Sequence, residues 1–259
     1  MSAGPMSTRP TSAAFLAEVR ETLLPGRAGG QGPLPPVLIS MTLVTGLVDA
    51  FSYLVLGHVF VANMTGNVVF LGFALAGAPG FSIGASLAAM AAFALGALIG
   101  GRLGAWQRDH RGRLHSAAAA VQAVFLAVSV LLAAAGTPGD AGFRYGLIAA
   151  LGISMGVQNA SARKLAVPDL TTTVLTLTIT GIAADSKLAG GPGSKSGRRL
   201  LSVATMLAGA VVGAVLILHA QAWCPLLIAL VVIVAGAAAT YLMGKSDPAW
   251  VRASGGQAR

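Results

Sequence analysis

Gly46-Leu47-Val48-Asp49-Ala50, followed by Val61-Ala62-Asn63-Met64-Thr65, is the stretch on which the fold depends, because a version of it returns later in the chain. Gly156-Val157-Gln158-Asn159-Ala160 lines up with the first block and Val167-Pro168-Asp169-Leu170-Thr171 with the second. A third pair follows in the same order. Leu95-Gly96-Ala97-Leu98-Ile99-Gly100 matches Ala208-Gly209-Ala210-Val211-Val212-Gly213, and each carries two glycines at GxxxG spacing. One such match between segments rich in Gly and Ala means little. Three in register point to two copies of one unit, residues 37–136 and 137–243.

What surrounds these blocks is apolar. Of 259 residues, 55% are hydrophobic and 10% charged, and the mean hydropathy is +0.78, more than a water-exposed surface carries. Eight apolar segments follow one another, at about 37–57, 60–77, 82–104, 114–135, 143–160, 168–184, 199–219 and 223–243. Met206–Leu218 and Leu226–Ala239 are uninterrupted, which excludes the alternating strands of a membrane barrel and suits helices that cross a hydrocarbon core of about 30 Å. The expected fold is therefore an all-α polytopic membrane protein. Residues 1–36 lack the early apolar core of a signal peptide. They read as a cytoplasmic, partly disordered segment in which Phe15, Leu16, Val19 and Leu23 have the spacing of a short interfacial helix. Residues 244–259 read as a cytoplasmic tail.

Charge supplies orientation. Arg102, Arg108, Arg111 and Arg113 follow the third segment, while its counterpart around Ala220–Ala222 has no charge. Arg163 and Lys164 stand against nothing near Leu54–Gly57, and Lys187, Lys195, Arg198 and Arg199 against nothing in Gly77–Gly80. Where one copy is basic the other is neutral, so the positive-inside rule points the copies in opposite directions, an inverted repeat. Inversion needs an odd number of crossings per copy, yet each copy has four apolar segments. The segments at 60–77 and 168–184 are the most polar, and each is flanked by loops of one kind, so the expectation is six spans plus two re-entrant or broken segments. Both termini are then cytoplasmic, in a bacterial cytoplasmic (inner) membrane. Eight plain spans, with parallel repeats and basic loops outside, is the alternative.

The motif from Gly46 to Leu54, then Gly57-His58-Val59-Phe60-Val61-Ala62-Asn63-Met64-Thr65-Gly66-Asn67, resembles the signature of the YoaK-like family of bacterial membrane proteins. Gly156–Ala160 and the threonine-rich run from Asp169 to Gly181 are similar to its second signature, so the resemblance covers most of residues 37–243. That family carries a domain-of-unknown-function label. The resemblance implies a membrane location and no particular activity.

Function must then be sought in polar groups at membrane depth. Asp49 is the sharpest, since an ionisable group within a span is costly unless it is paired, protonated or facing water. Asn63, Thr65 and Asn67 form a compact polar set whose counterparts are Asp169, Thr171 and Thr173, with Thr172 beside them, while Gln158 and Asn159 stand opposite Val48 and Asp49. If the two polar segments meet from opposite faces, these ten residues are the candidates for a solute or ion site at the repeat interface. The alternative is that Asn and Thr hold helices together. Gly96, Gly100, Gly209 and Gly213 read as helix-packing positions. The expected function is a secondary transporter or permease for a small polar solute or ion, with membrane lipid as surroundings and a homo-oligomer left open. The alternative is a non-transporting scaffold, sensor or assembly protein.

Other signals carry little. Gly152-Ile153-Ser154-Met155-Gly156 fits GxSxG but lies within a membrane helix, not at a strand-to-helix elbow. Gly190–Ser196 lacks the Gly-Lys-Ser/Thr ending of a phosphate loop. His58, His110, His115 and His219 have no metal-ligand spacing, and Cys224 is alone. The expectation is no metal, no cofactor and no enzymatic role. The net charge of +9 is scattered over loops and tails without interleaved aromatics, so it reads as a topology signal and not as a nucleic-acid surface.

Overall fold

A computed structural model describes residues 12–24, 31–107, 110–136, 140–167, 175–185, 189–190, 196–246 and 250–252. Among these the secondary structure is helical: α1 (Ser12–Leu23), α2 (Leu34–Val55), α3 (Met64–Leu75), α4 (Ile83–Trp106), α5 (Arg111–Ala135), α6 (Ala141–Leu165), α7 (Leu175–Ala184), α8 (Ser196–His219) and α9 (Cys224–Ser246). Local chemistry sets several boundaries. Prolines occupy the first turn of α2, where a missing amide costs nothing. The side chains of Ser82, His110 and Asp140 cap α4, α5 and α6 by accepting from Ala85 N, Arg113 N and Gly142 N. Ala166, in the left-handed region at φ 47°, ends α6.

The helices fall into two lengths. α2, α4, α5, α6, α8 and α9 have 22 to 25 residues, about 33–38 Å at 1.5 Å per residue. α3 has 12, roughly half a bilayer, and α7 has 10 among its described residues. Five of the long helices, α2, α4, α5, α8 and α9, are both long and apolar enough to cross a membrane. α6 has the length but carries Arg144, Gln158, Asn159, Arg163 and Lys164. The centre of the bundle is α2, whose apolar window is 78% buried against 17% to 33% for the other four.

The principal packing is reciprocal between the two copies. α4 lies along α6 and α8 along α2, while α5 bridges α6 and α9. Glycines permit both close crossings. A Cβ on Gly46 would meet Met206 O and lie 2.8 Å from Ala210 N, and one on Gly156 would meet Phe93 O and lie 2.7 Å from Ala97 N. From the facing helices, Gly96 abuts Ile153 O and Gly209 abuts Leu43 O. Gly100 lies against Val157 and Ala160, Gly213 against Leu47 and Ala50. Residues aligned by the sequence repeat thus make matching contacts.

Two ends of the bundle differ in charge. At one, the start of α2 and α5 meets the end of α6. Arg111 N donates to Val251 O at 2.8 Å, its guanidinium to Leu165 O, and Lys164 packs on Gly104. Trp250, nearly fully buried, lies between Gly32 and Gly112. Residues 250 and 251 of the tail are therefore part of the packed bundle. α1 caps α8 at this basic end, Gly197 N donating to Glu18 Oε2 at 2.9 Å. At the other end lie the close of α2 and α5, the start of α4 and α6, and the α8–α9 connection.

Because the α4–α6 and α2–α8 crossings bring backbone to backbone, Gly96→Leu and Gly209→Leu should each destabilise the bundle by about 1–3 kcal/mol through overpacking. Gly101→Leu, at a position with nothing within 4 Å of its Cβ, should leave thermal melting in detergent unchanged. Equal melting of all three variants would refute the tight crossing.

Candidate functional site

The first polar segment is helical only from Met64 onward, and the residues before it explain why. Gly57 and His58 adopt positive φ, 85° and 55°, reversing the chain at the end of α2. Val59, Val61 and Ala62 then run back, buried, beside α2. Ala62 N donates to Asp49 Oδ1 at 3.0 Å, so the chain has returned to a point almost two helical turns inside α2 before α3 begins. α3 leads outward again. At its far end His58 Nδ1 lies 3.0 Å from Gly80 O; a carbonyl can only accept, so the imidazole donates from Nδ1. The segment therefore begins and finishes at the same end of the bundle. Rings of Tyr53, His58, Phe60, Phe70 and Phe81 pack together across this loop, with Phe60–Phe70 at 5.5 Å and His58–Phe81 at 5.7 Å between centroids.

An extended leg buried among helices has backbone groups that no helix satisfies. Two side chains supply partners. Asn67, fully buried, accepts from Phe60 N at 2.9 Å and donates to Phe60 O at 2.6 Å, as a neighbouring strand would. Asp49 takes the Ala62 amide. Its second oxygen, Oδ2, is buried and has no hydrogen-bond partner. A carboxylate in this state has room in its chemistry for a proton, a cation or a donor group on a solute.

The other predicted residues divide. Asn63 and Thr65 are exposed at the start of α3. Gln158 lies in the core, with Oε1 accepting from Gln122 Nε2 at 2.6 Å and Nε2 donating to Met41 O at 3.2 Å and Thr45 Oγ1 at 2.9 Å. Thr45 stands one turn before Asp49 on α2, so this network and the carboxylate share one helix face. Asn159 donates to Met155 O within its own helix at 3.0 Å. Asp169, Thr171, Thr172 and Thr173 lie outside the described residues.

Two participants escaped the sequence reading. Gln122 ties α5 to α6, and its signal was available as a lone amide in the apolar run 114–135. His115 is buried, with Nδ1 3.0 Å from Thr240 Oγ1 and Nε2 without a partner; its position beside the basic loop concealed it. Gln122→Leu removes the donor to Gln158 Oε1 and should cost about 1–3 kcal/mol, the penalty of an unpaired buried amide. Gln122→Leu/Gln158→Leu should melt closer to the unmodified protein. Additive losses in the double variant would contradict the pairing.

Comparisons with known proteins agree on the class of molecule. Residues 37–238 match a protein family described as a protein of unknown function, DUF1275. The UPF0700 transmembrane protein YoaK of Bacillus subtilis (strain 168) is 35% identical over 152 residues, 58% of this chain and 65% of the relative, so the match spans under two thirds of that protein's length. No solved structure matches. With its apolar helices of membrane-crossing length, the chain belongs to the DUF1275 family.

Proposed function

We propose that this protein is a secondary transporter or permease for a small polar solute or ion in a bacterial cytoplasmic membrane. Its architecture is an inverted repeat of six spans and two half-length segments, with both termini cytoplasmic. Three observations support that topology. α3 is too short to cross, the 58–80 segment closes on itself through His58 and Gly80, and the first half of α2 meets the second half of α6 at Met41 and Gln158, as copies running in opposite directions require. Discontinuous segments that end at membrane depth are tolerated where they line a protected or wet cavity, and inverted-repeat transporters use them to hold solutes.

The observation that carries the reading is Asp49. One oxygen of this buried carboxylate fixes the innermost turn of a broken segment, and the other is unclaimed. Protonation or cation binding at that oxygen changes the charge next to the Ala62 amide, so solute binding and loop position share one group. Asn63 and Thr65 from the first segment, with Asp169, Thr171, Thr172 and Thr173 from the second, complete the polar set, and Asn67, Gln158 and Asn159 serve as supports. Rocking of the α4–α6 and α2–α8 pairs about this level exposes it alternately to each side.

A scaffold without transport is the second reading. It is favoured by Gln158 and Asn67, whose polar atoms are spent on neighbouring helices and backbone.

Asp49→Asn separates the two readings, because an amide keeps the acceptor for Ala62 N and removes the charge. In pyranine-loaded proteoliposomes challenged with amino acids, monocarboxylates and alkali cations, the unmodified protein should give solute-driven flux. The Asn variant should lose at least tenfold while melting within a few degrees. Flux equal in both, or absent from the unmodified protein across the panel, would leave the scaffold reading in place. Asp49→Leu removes the acceptor as well and should destabilise by about 1–3 kcal/mol.

A further inference from the structure

The neutral end of the bundle contains a feature that the Asp49 region does not use. A cavity of about 310 Å³ lies there, walled by Phe51 and Val55 of α2, Leu147 of α6 and Ala222 from the α8–α9 connection, with Asp140 and Arg144 at the head of α6. Its size falls at the lower limit of small-molecule pockets. The walls are mostly apolar, and Arg144 is the one basic side chain among them.

Arg144 is out of place by the charge pattern. Every other Lys or Arg among the described residues lies toward the opposite, basic end. Residues 56–82, 136–140 and 219–224 contain none. A lone arginine at the neutral end opposes the topology signal, so its presence calls for another cause. Its contacts leave the fork of donors unused. The guanidinium stands 5.4 Å from the Tyr145 ring centroid and reaches Gly57 at the end of α2, its Nε is buried without a hydrogen-bond partner, and among the described residues no carboxylate forms an ion pair with it. Asp140, one turn earlier, directs Oδ1 to Gly142 N as the helix cap. A part-buried guanidinium is a planar fork of donors that suits a carboxylate or phosphate. An inorganic anion would fill the cavity poorly, since its remaining lone pairs would face Phe51, Val55 and Leu147 without partners. An oxyanion on a short hydrocarbon body satisfies both the cation and the walls.

We infer that the cavity at the neutral end is a binding site for an organic oxyanion, a carboxylate or phosphate group on an apolar body, held by the Arg144 guanidinium with its body against Phe51, Val55 and Leu147. The site stands whether or not solute crosses the membrane, since it involves neither Asp49 nor α3. Two sources present this chemistry at that surface, a free carboxylate and the headgroup of an anionic lipid.

Hexanoate is the probe, titrated by calorimetry against the full chain in nanodiscs of phosphatidylcholine, with hexylammonium as the same body bearing the opposite charge. Hexanoate should bind and hexylammonium should not. Arg144→Gln should weaken hexanoate at least tenfold, and Arg144→Lys should retain some of the affinity. Ala222→Trp fills the cavity while leaving the cation in place and should also abolish binding, so a folding defect in one variant does not decide the matter. Repeating the titration in discs containing phosphatidylglycerol identifies the source: suppressed hexanoate binding assigns the site to the lipid headgroup, and unchanged binding to a free solute. No hexanoate binding by the unmodified protein, or equal binding by Arg144→Gln, overturns the assignment.

Discussion

A chain that leaves a helix inside a bilayer must find partners for its backbone without help from water, and this constraint organises the structure around α3. The Ala62 amide, deep beside α2, is held by Asp49, and both backbone groups of Phe60 are held by Asn67. Without these two side chains the extended leg would carry buried, unpaired amides and carbonyls, and the segment would do better as a continuous helix or outside the bundle. The aromatic cluster from Tyr53 to Phe81 closes the loop's mouth but cannot replace those bonds, because rings bury area without accepting an amide proton. The residues with the most pronounced functional appearance in the sequence thus have a structural role first. Asp49 keeps one buried oxygen, Oδ2, outside those bonds.

The second organising feature is the pair of glycine crossings. Each copy sends its third helical segment across to lie on the first long helix of the other, with Gly96 and Gly156 at one contact and Gly209 and Gly46 at the other. The halves are therefore interlocked, and any motion between them must bend or slide these crossings; they cannot separate as independent bodies. Between them the Gln122–Gln158–Thr45 network joins α5, α6 and α2 at the core. It anchors the face of α2 that also carries Asp49, so displacement of α2 would be felt at the carboxylate.

Much of the fold was legible in the sequence, for a definite reason. Lipid demands continuous apolar helices, so their number and limits emerge from hydropathy, and the aligned glycines marked both close crossings before any contact was known. The break ahead of α3 was legible from the polarity of residues 60–77. What the sequence could not supply was assignment among polar groups. Asn67 and Gln158 looked like solute ligands because an amide has the same pattern of donors and acceptors whether it meets a solute, a strand or another amide. Arg144 was visible as a charge, but only the cavity beside it distinguishes a ligand contact from a topological exception. Trp250 and His115 depend on the docking of a distant tail and helix, for which local sequence has no signal.

The claim that most of this rests on is that residues 58–80 enter and leave by one face. It is tested most directly by cysteine accessibility in intact membrane vesicles of both orientations. In a Cys224→Ser background, Val55→Cys and Pro79→Cys flank the segment, and Lys164→Cys and Ala189→Cys flank its counterpart. With a membrane-impermeant maleimide, the account predicts that the first two label only from outside and the second two only from inside. Labelling of Val55→Cys and Pro79→Cys from opposite faces would mean that the segment crosses, contradicting both the returning loop and the inversion built on it.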